Sequence, residues 1–209
     1  CDTPRKTLNE SMQGSSILET APVDNPNESL FPRIREEFEL TESKLKVRTI
    51  FENLTANTQY FAFGYHPYFS LSESIDDCYI ESNLELSYPL DDKLLPTEDI
   101  TKTNYFQSPS SMQDVTFDNT FAFNESTVTR FFSITNSKRN LKLTLTHKKP
   151  INEKEIDLKF LQLYTPPHRK SIAIEPMSST GNSFFFKNSN LVKILSNETK
   201  YSFFEIQVE

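Results

Sequence analysis

Three short stretches carry side chains that could do chemistry. In FAFGYHPYFSL, Phe61 to Leu71, His66 stands between a Gly-Tyr pair and Pro67. The proline keeps the residue before it extended and offers no backbone donor, so the imidazole belongs at a strand end or edge. Histidine titrates near neutrality and suits proton transfer, yet a lone histidine among aromatics is equally the mark of a satisfied core or edge residue. In SIAIEPM, alternation puts Ile172 and Ile174 on one strand face and Ala173, Glu175 and Met177 on the other. A carboxylate beside Ala and Met, held extended by Pro176, should be partly desolvated, which raises its pKa toward that of a general base; the competing account is an edge glutamate that blocks aggregation. In VTFDNTFAF, Asp118 lies between Phe117 and Phe121. It could accept hydrogen bonds from sugar hydroxyls while an aromatic ring covers the sugar's apolar face, or it could open a hairpin as an Asp-Asn turn.

A histidine and a glutamate that converge on one concave sheet face make an acid/base pair needing no metal and no cofactor. The other two histidines, His147 in LTHKKP and His168 in TPPHRK, sit in basic, turn-like settings and are expected to be exposed loop residues. Cys78, in DDCYIES, has acids nearby that raise its pKa, which argues against a thiol nucleophile. GxSxG, P-loop, GxGxxG, HExxH and CxxC patterns are all absent, so no cofactor and no metal site is expected.

These residues are embedded in strand-like segments. From Leu30 onward the chain reads IREEFEL, KLKVRTIFENL, YFAFGYHPYF, CYIESNLELS, DNTFAFN, TRFFSITN, NLKLTLTHK, LKFLQLYT, SIAIEP, SFFFKN, LVKIL and YSFFEIQVE. Each is rich in aromatic or β-branched residues and bounded by Asn, Asp, Ser, Pro or Lys, the pattern of an all-β, antiparallel sandwich. With three glycines in 209 residues, Asn, Asp, Ser and Pro must make most turns. Residues 1–29 read as a polar leader or loop with at most one short strand, at Ser16–Glu19, and residues 30–209 as a single sandwich domain. The net charge of −7, with basic residues interspersed among acids, argues against nucleic acid as a partner. No apolar run suggests a membrane span and no intact signal peptide opens the chain. Cytoplasm is the expected compartment, although Cys1 before a polar leader resembles a lipoprotein start, and five sequons (Asn9, Asn27, Asn53, Asn124, Asn197) would permit glycosylation of a secreted form.

In order and spacing, GYHPYFSL (Gly64–Leu71), KLLPTEDI (Lys93–Ile100) with FDNTFAF (Phe117–Phe123), and LQLYTPPHRKSIAIEPMSSTGNSFF (Leu161–Phe185) resemble the aldose 1-epimerase, or galactose mutarotase-like, family. The resemblance runs from about Leu30 to the C-terminus. It implies a β-supersandwich whose concave face binds a small sugar, a hexose or related aldose, and interconverts its α and β anomers without a cofactor. The family's general acid falls on His66 and its general base on Glu175. Asp118 and Tyr68 are the expected sugar-binding residues, the first carried over from the family's substrate aspartate. The family also carries strands before the matching segment, with a sugar-contacting arginine and a second histidine. No histidine precedes His66, and Arg5, Arg33 and Arg35 match no arginine motif, so the expectation is an incomplete copy lacking the first strands. A carbohydrate-binding sandwich without turnover and an anchored structural domain are the alternatives. A phosphorylated sugar would be indicated if basic residues such as Arg169 and Lys170 line the pocket mouth.

Overall fold

The computed structural model describes residues 14–19, 32–93, 95–185 and 190–209. Cys1, Arg5 and the sequons at Asn9 and Asn27 lie outside the described residues. One sheet of eight strands runs, in spatial order, β1 (Gly14–Glu19), β2 (Arg33–Leu40), β3 (Lys44–Glu52), β16 (Thr199–Val208), β12 (Leu141–Lys148), β11 (Thr129–Asn136), β6 (Tyr79–Ser82) and β9 (Ser110–Ser111). A second, of six strands, runs β5 (Tyr68–Phe69), β14 (Ile172–Met177), β13 (Phe160–Tyr164), β10 (Asp118–Phe123), β7 (Leu84–Tyr88) and β8 (Thr101–Lys102). A two-stranded ribbon of β4 (Gln59–Phe61) and β15 (Val192–Ile194) closes one end. The strand pairings are antiparallel, as the one-sided alternation predicts.

The two sheets pack face to face because each strand presents every second residue inward. Val47, Ile80, Phe132, Ile134, Leu145 and Phe204 of the larger sheet meet Leu84, Phe121, Phe123, Leu161, Leu163, Ile172 and Ile174 of the smaller one. Phe106, fully buried, fills the space between them, with its ring 4.9 Å from Phe121 and 6.0 Å from Phe132. Each fully buried phenylalanine contributes on the order of 1.5–3 kcal/mol, which makes this layer the main source of cohesion. A smaller cluster of Phe51, Phe61, Ile156, Val192 and Ile194 seals the ribbon end. Turns follow the glycine-poor composition. Six described residues other than glycine adopt positive φ, four of them Asn (Asn140, Asn182, Asn190, Asn197) beside Asp114 and Arg169. Asparagine and aspartate tolerate that region best after glycine.

Two expectations are corrected. SFFFKN does not form a strand where it is described: residues 181–185 are a turn, with Phe184 and Phe185 exposed. His147 is not a loop residue. It occupies the penultimate position of β12, 2% exposed, on the inward side with Leu143 and Leu145. The strand period reaches further than the KKP turn signal suggested, and the inward slot falls on a histidine. Its ring lies 5.3 Å from that of Phe123, edge to face. Neither ring nitrogen has a hydrogen-bond partner. Arg130, fully buried and ion-paired with Asp157, is its register partner on β11. Burial first, and the Arg130 charge second, push the His147 pKa down to about 3.

Protonation of His147 is thus linked to unfolding. Its folded pKa lies below the ordinary histidine value of 6.5, so its effect on stability is absent above that value and becomes destabilising as pH falls from there toward 3. Stability should drop by up to about 1.4 kcal/mol per pH unit across that window. Urea denaturation at pH 7.5 and pH 5 is expected to show this loss in the parent and a smaller one in His147→Phe. Equal losses in the two proteins would disprove the assignment.

Candidate active site

The outer face of the six-stranded sheet collects the polar residues singled out in the sequence. Cross-strand register arranges them in rungs. One rung is Glu175–Gln162–Thr120, on β14, β13 and β10. The next is Tyr68–Ala173–Tyr164–Asp118, on β5, β14, β13 and β10. On the other side of the Glu175 rung lie Met177, Phe160 and Ala122, paired in register. They form a small apolar cluster with Tyr88 and Leu86. The Glu175 rung therefore stands between a covered apolar rung and an open aromatic one.

His66 reaches this face through the segment Phe63–Phe69, which runs antiparallel along β14. The Tyr65 N–H donates to the Pro176 carbonyl at 3.1 Å, the Ile174 N–H to that of Pro67 at 3.3 Å, and the Ser178 N–H to that of Phe63 at 2.9 Å. Alternation then does the sorting: Phe63, Tyr65 and Phe69 pack against the core, whereas His66 and Tyr68 point outward. Tyr65 anchors the segment to the opposite sheet, with its hydroxyl bonded to Thr49 and, at 3.3 Å, to Ser202, and its ring 4.7 Å from Phe204. Gly64 permits the close approach. A Cβ at this position would lie 2.8 Å from Met177 Cγ and 3.4 Å from the Pro176 carbonyl oxygen.

The outcome is a facing pair, with His66 Nε2 lying 3.3 Å from Glu175 Oε1. The imidazole is open to solvent and its side chain is 55% exposed, whereas that of Glu175 is 11% exposed. Glu175 is not at a sheet edge, because β5 and the Gly64–Pro67 segment flank β14 on one side and β13 on the other. Burial raises its pKa above the ordinary 4.5; the His66 charge opposes that rise and the Asp118 charge adds to it. The ring of Tyr68 lies 5.0 Å from that of His66.

Asp118 is exposed at the start of β10 and accepts a hydrogen bond from Gln162 Nε2 at 3.0 Å. Gln162 Oε1 in turn accepts one from Thr120 Oγ1 at 2.6 Å. Gln162 thus stands between the two carboxylates with its amide orientation set by Thr120. Sequence reasoning missed it; the signal was its outward parity in LKFLQLYT, a polar residue among apolar neighbours. Among the described residues, no group of three or more His, Cys, Asp or Glu could hold a metal ion. Cys78 is buried away from this face, and burial raises its pKa more than the neighbouring acids do.

The family model for aldose 1-epimerase matches residues 33–198, most of the chain and all of these site residues. The chain belongs to the aldose 1-epimerase family. No curated protein matches it by sequence. Among solved structures, a galactose mutarotase-like protein from Clostridium acetobutylicum superposes with a TM-score of 0.75 at 18% identity, over 93% of this chain and 62% of that one. A galactose mutarotase related enzyme from Lactobacillus acidophilus gives 0.76 at 14% identity, over 96% and 70% of the two chains. The aldose-epimerase chain described here therefore shares their fold, and it spans less than two thirds of the Clostridium protein's length.

Two outcomes test this geometry without reference to activity. Glu175, followed by carboxyl NMR, should titrate above 4.5, move down in Asp118→Asn and move up in His66→Gln; a midpoint indifferent to both substitutions would refute the arrangement. Gly64→Ala should force the His66 segment away from β14. It is expected to destabilise the fold by roughly 1–3 kcal/mol, the range for overpacking, and to weaken the coupling between His66 and Glu175 in the same titration.

Proposed function

We propose that this member of the family is a mutarotase, catalysing interconversion of the α and β anomers of a hexose or related aldose. The observation that supports it most is the facing of His66 and Glu175 at 3.3 Å on a sheet face that also carries Asp118. The two oxygens that exchange protons in mutarotation are bonded to the same carbon, so an acid and a base must converge on one point rather than lie far apart.

Glu175, ionised, takes the proton of the anomeric hydroxyl as the C1–O1 bond becomes a carbonyl. The C1–O5 bond breaks and O5 takes a proton from the His66 imidazolium. Rotation about C1–C2 presents the other carbonyl face. Closure reverses the transfers: O5 attacks C1 and returns its proton to His66, while O1 recovers one from Glu175. Partial burial makes Glu175 a stronger base than a solvated carboxylate. His66 regains its proton on closure, so the pair ends each turnover as it began. On this reading Asp118, which accepts from Gln162, accepts hydrogen bonds from sugar hydroxyls, and Tyr68, beside His66, lies against the ring's apolar face. Catalysis on this reading is carried by side chains alone. The fold supplies no helix long and apolar enough to cross a membrane among the described residues, and the proposed substrate is a water-soluble sugar.

Polarimetry of freshly dissolved α-D-glucose and α-D-galactose tests the reading. Acceleration over the spontaneous rate is expected, with losses of about 10²–10⁴-fold in His66→Ala and in Glu175→Gln, the usual range for an acid or base. The acid limb of the pH profile should lie above 4.5, because Glu175 must be ionised and its pKa is raised. Sugar binding without acceleration in a folded sample would replace the enzyme with a carbohydrate-binding sandwich.

A further inference from the structure

On the inner face of the eight-stranded sheet, one rung across three adjacent strands is polar throughout. Glu36 of β2, Thr49 of β3 and Ser202 of β16 are partners in register. The rung on one side of them is Phe38–Val47–Phe204, and on the other Ile34 pairs with Phe51. Thr49 is 2% and Ser202 1% exposed, and hydroxyls so deeply buried need partners within the fold. Tyr65, reaching across from the smaller sheet, supplies them: its hydroxyl bonds with Thr49 Oγ1 and, at 3.3 Å, with Ser202 Oγ. Thr49 Oγ1 in turn donates to Glu36 Oε1 at 3.2 Å.

The direction of this chain follows from its hydrogens. A carboxylate only accepts, and each hydroxyl has a single hydrogen to give. Thr49 gives its hydrogen to Glu36, so toward Tyr65 it accepts and the phenol donates. With its hydrogen committed to Thr49, Tyr65 accepts from Ser202. The bonds therefore run one way, from Ser202 to Tyr65 to Thr49 to Glu36. Burial raises the Tyr65 pKa above its ordinary 10.0, the bonds to Ser202 and Thr49 oppose that rise and the Glu36 charge adds to it. The phenol thus keeps the hydrogen that the chain requires.

Tyr65 immediately precedes His66, and its backbone N–H donates to the carbonyl of Pro176, the residue after Glu175. It is held at its backbone by one sheet and at its hydroxyl by the other. The second hold matters because β5, which continues this segment, is only two residues long and is the edge of its sheet. The ladder alone therefore grips His66 from one side. Resting on the mutarotase reading, we propose that Glu36, Thr49 and Ser202 are positioning residues for that reaction, which act through Tyr65 to keep His66 seated over Glu175 although they lie on the opposite sheet.

Three substitutions separate the hydroxyl chain from packing. Thr49→Val keeps the shape and removes the hydroxyl, Thr49→Ser keeps the hydroxyl, and Tyr65→Phe keeps the ring against Phe63 and Phe204. Polarimetry of α-D-glucose and α-D-galactose with the full chain should show kcat lowered in Thr49→Val and Tyr65→Phe by up to about 10²-fold, the scale of a misplacement of about 1 Å. KM should change little, and Thr49→Ser should stay close to the parent. In carboxyl NMR the Glu175 midpoint should rise in the first two variants, as the carboxylate loses the His66 charge, and stay in place in Thr49→Ser. Urea unfolding shows which variants are folded; if Thr49→Val is not, Tyr65→Phe and Ser202→Ala carry the comparison, with a smaller effect of the same sign expected in Ser202→Ala. A loss of kcat that Thr49→Ser shares in full, or a Glu175 midpoint unmoved in the folded variants that lack a hydroxyl, overturns the positioning role and leaves the mutarotase intact. If the parent accelerates neither sugar, the mutarotase reading fails instead, and the Glu175 midpoint alone decides whether the rung holds His66 in place.

Discussion

Everything at the candidate site depends on the antiparallel docking of the Phe63–Phe69 segment along β14. Three backbone hydrogen bonds, from Tyr65, Ile174 and Ser178, fix the register, and register alone decides that the imidazole of His66 stands over Glu175. A slip of one residue would send His66 into the core and Tyr65 into solvent. The slip is blocked on both sides: Tyr65 is tied to the opposite sheet through Thr49 and Ser202, and Gly64 fits against Met177 where a larger residue does not.

The same docking decides the electrostatics. By flanking β14, the segment takes Glu175 out of water and at the same time brings a titratable ring to its carboxylate. Burial and the neighbouring Asp118 make the carboxylate hold its proton more tightly, and His66 moderates this. Because the pKa of Glu175 is higher in the folded chain than in the ordinary reference, its ionisation above that reference works against folding. That opposition accords with the role of base proposed for Glu175. His147 shows the contrasting case. It is a buried histidine whose ring nitrogens have no hydrogen-bond partner, set between the ring of Phe123 and the buried Arg130.

The sheet class, most strands and the parity of Ile172 to Met177 were legible because alternation is a local signal. So was the choice of Asn and Asp for left-handed turns. The convergence of His66, Glu175 and Asp118 was not legible from local pattern, since it arises from pairing between segments about fifty to one hundred residues apart; family resemblance supplied that expectation. His147 was misread because a turn signal immediately after a strand was allowed to claim the strand's last inward position. Ser183–Phe185, the described part of SFFFKN, was misread in the opposite sense, as β-propensity alone does not make a strand. Gln162 escaped notice because an amide in a strand has no chemistry of its own. Its importance comes from standing between two carboxylates.

Mounting the site on a ladder of strands also limits how it can change. Functional groups on neighbouring strands are held at the interstrand spacing of about 4.8 Å, and those along one strand recur only at every second residue. The separation of His66 from Glu175 is therefore stepped, not continuously adjustable, and a substitution at either position has little room to alter it. The Pro166–Ser171 turn is under no such constraint, because it lies outside the ladder, with Arg169 anchored to Asp76, Met112 and Val115 while Pro167, His168 and Lys170 are exposed. Sequence change that the fold tolerates should accordingly accumulate at that rim, with the rungs beneath it left as they are.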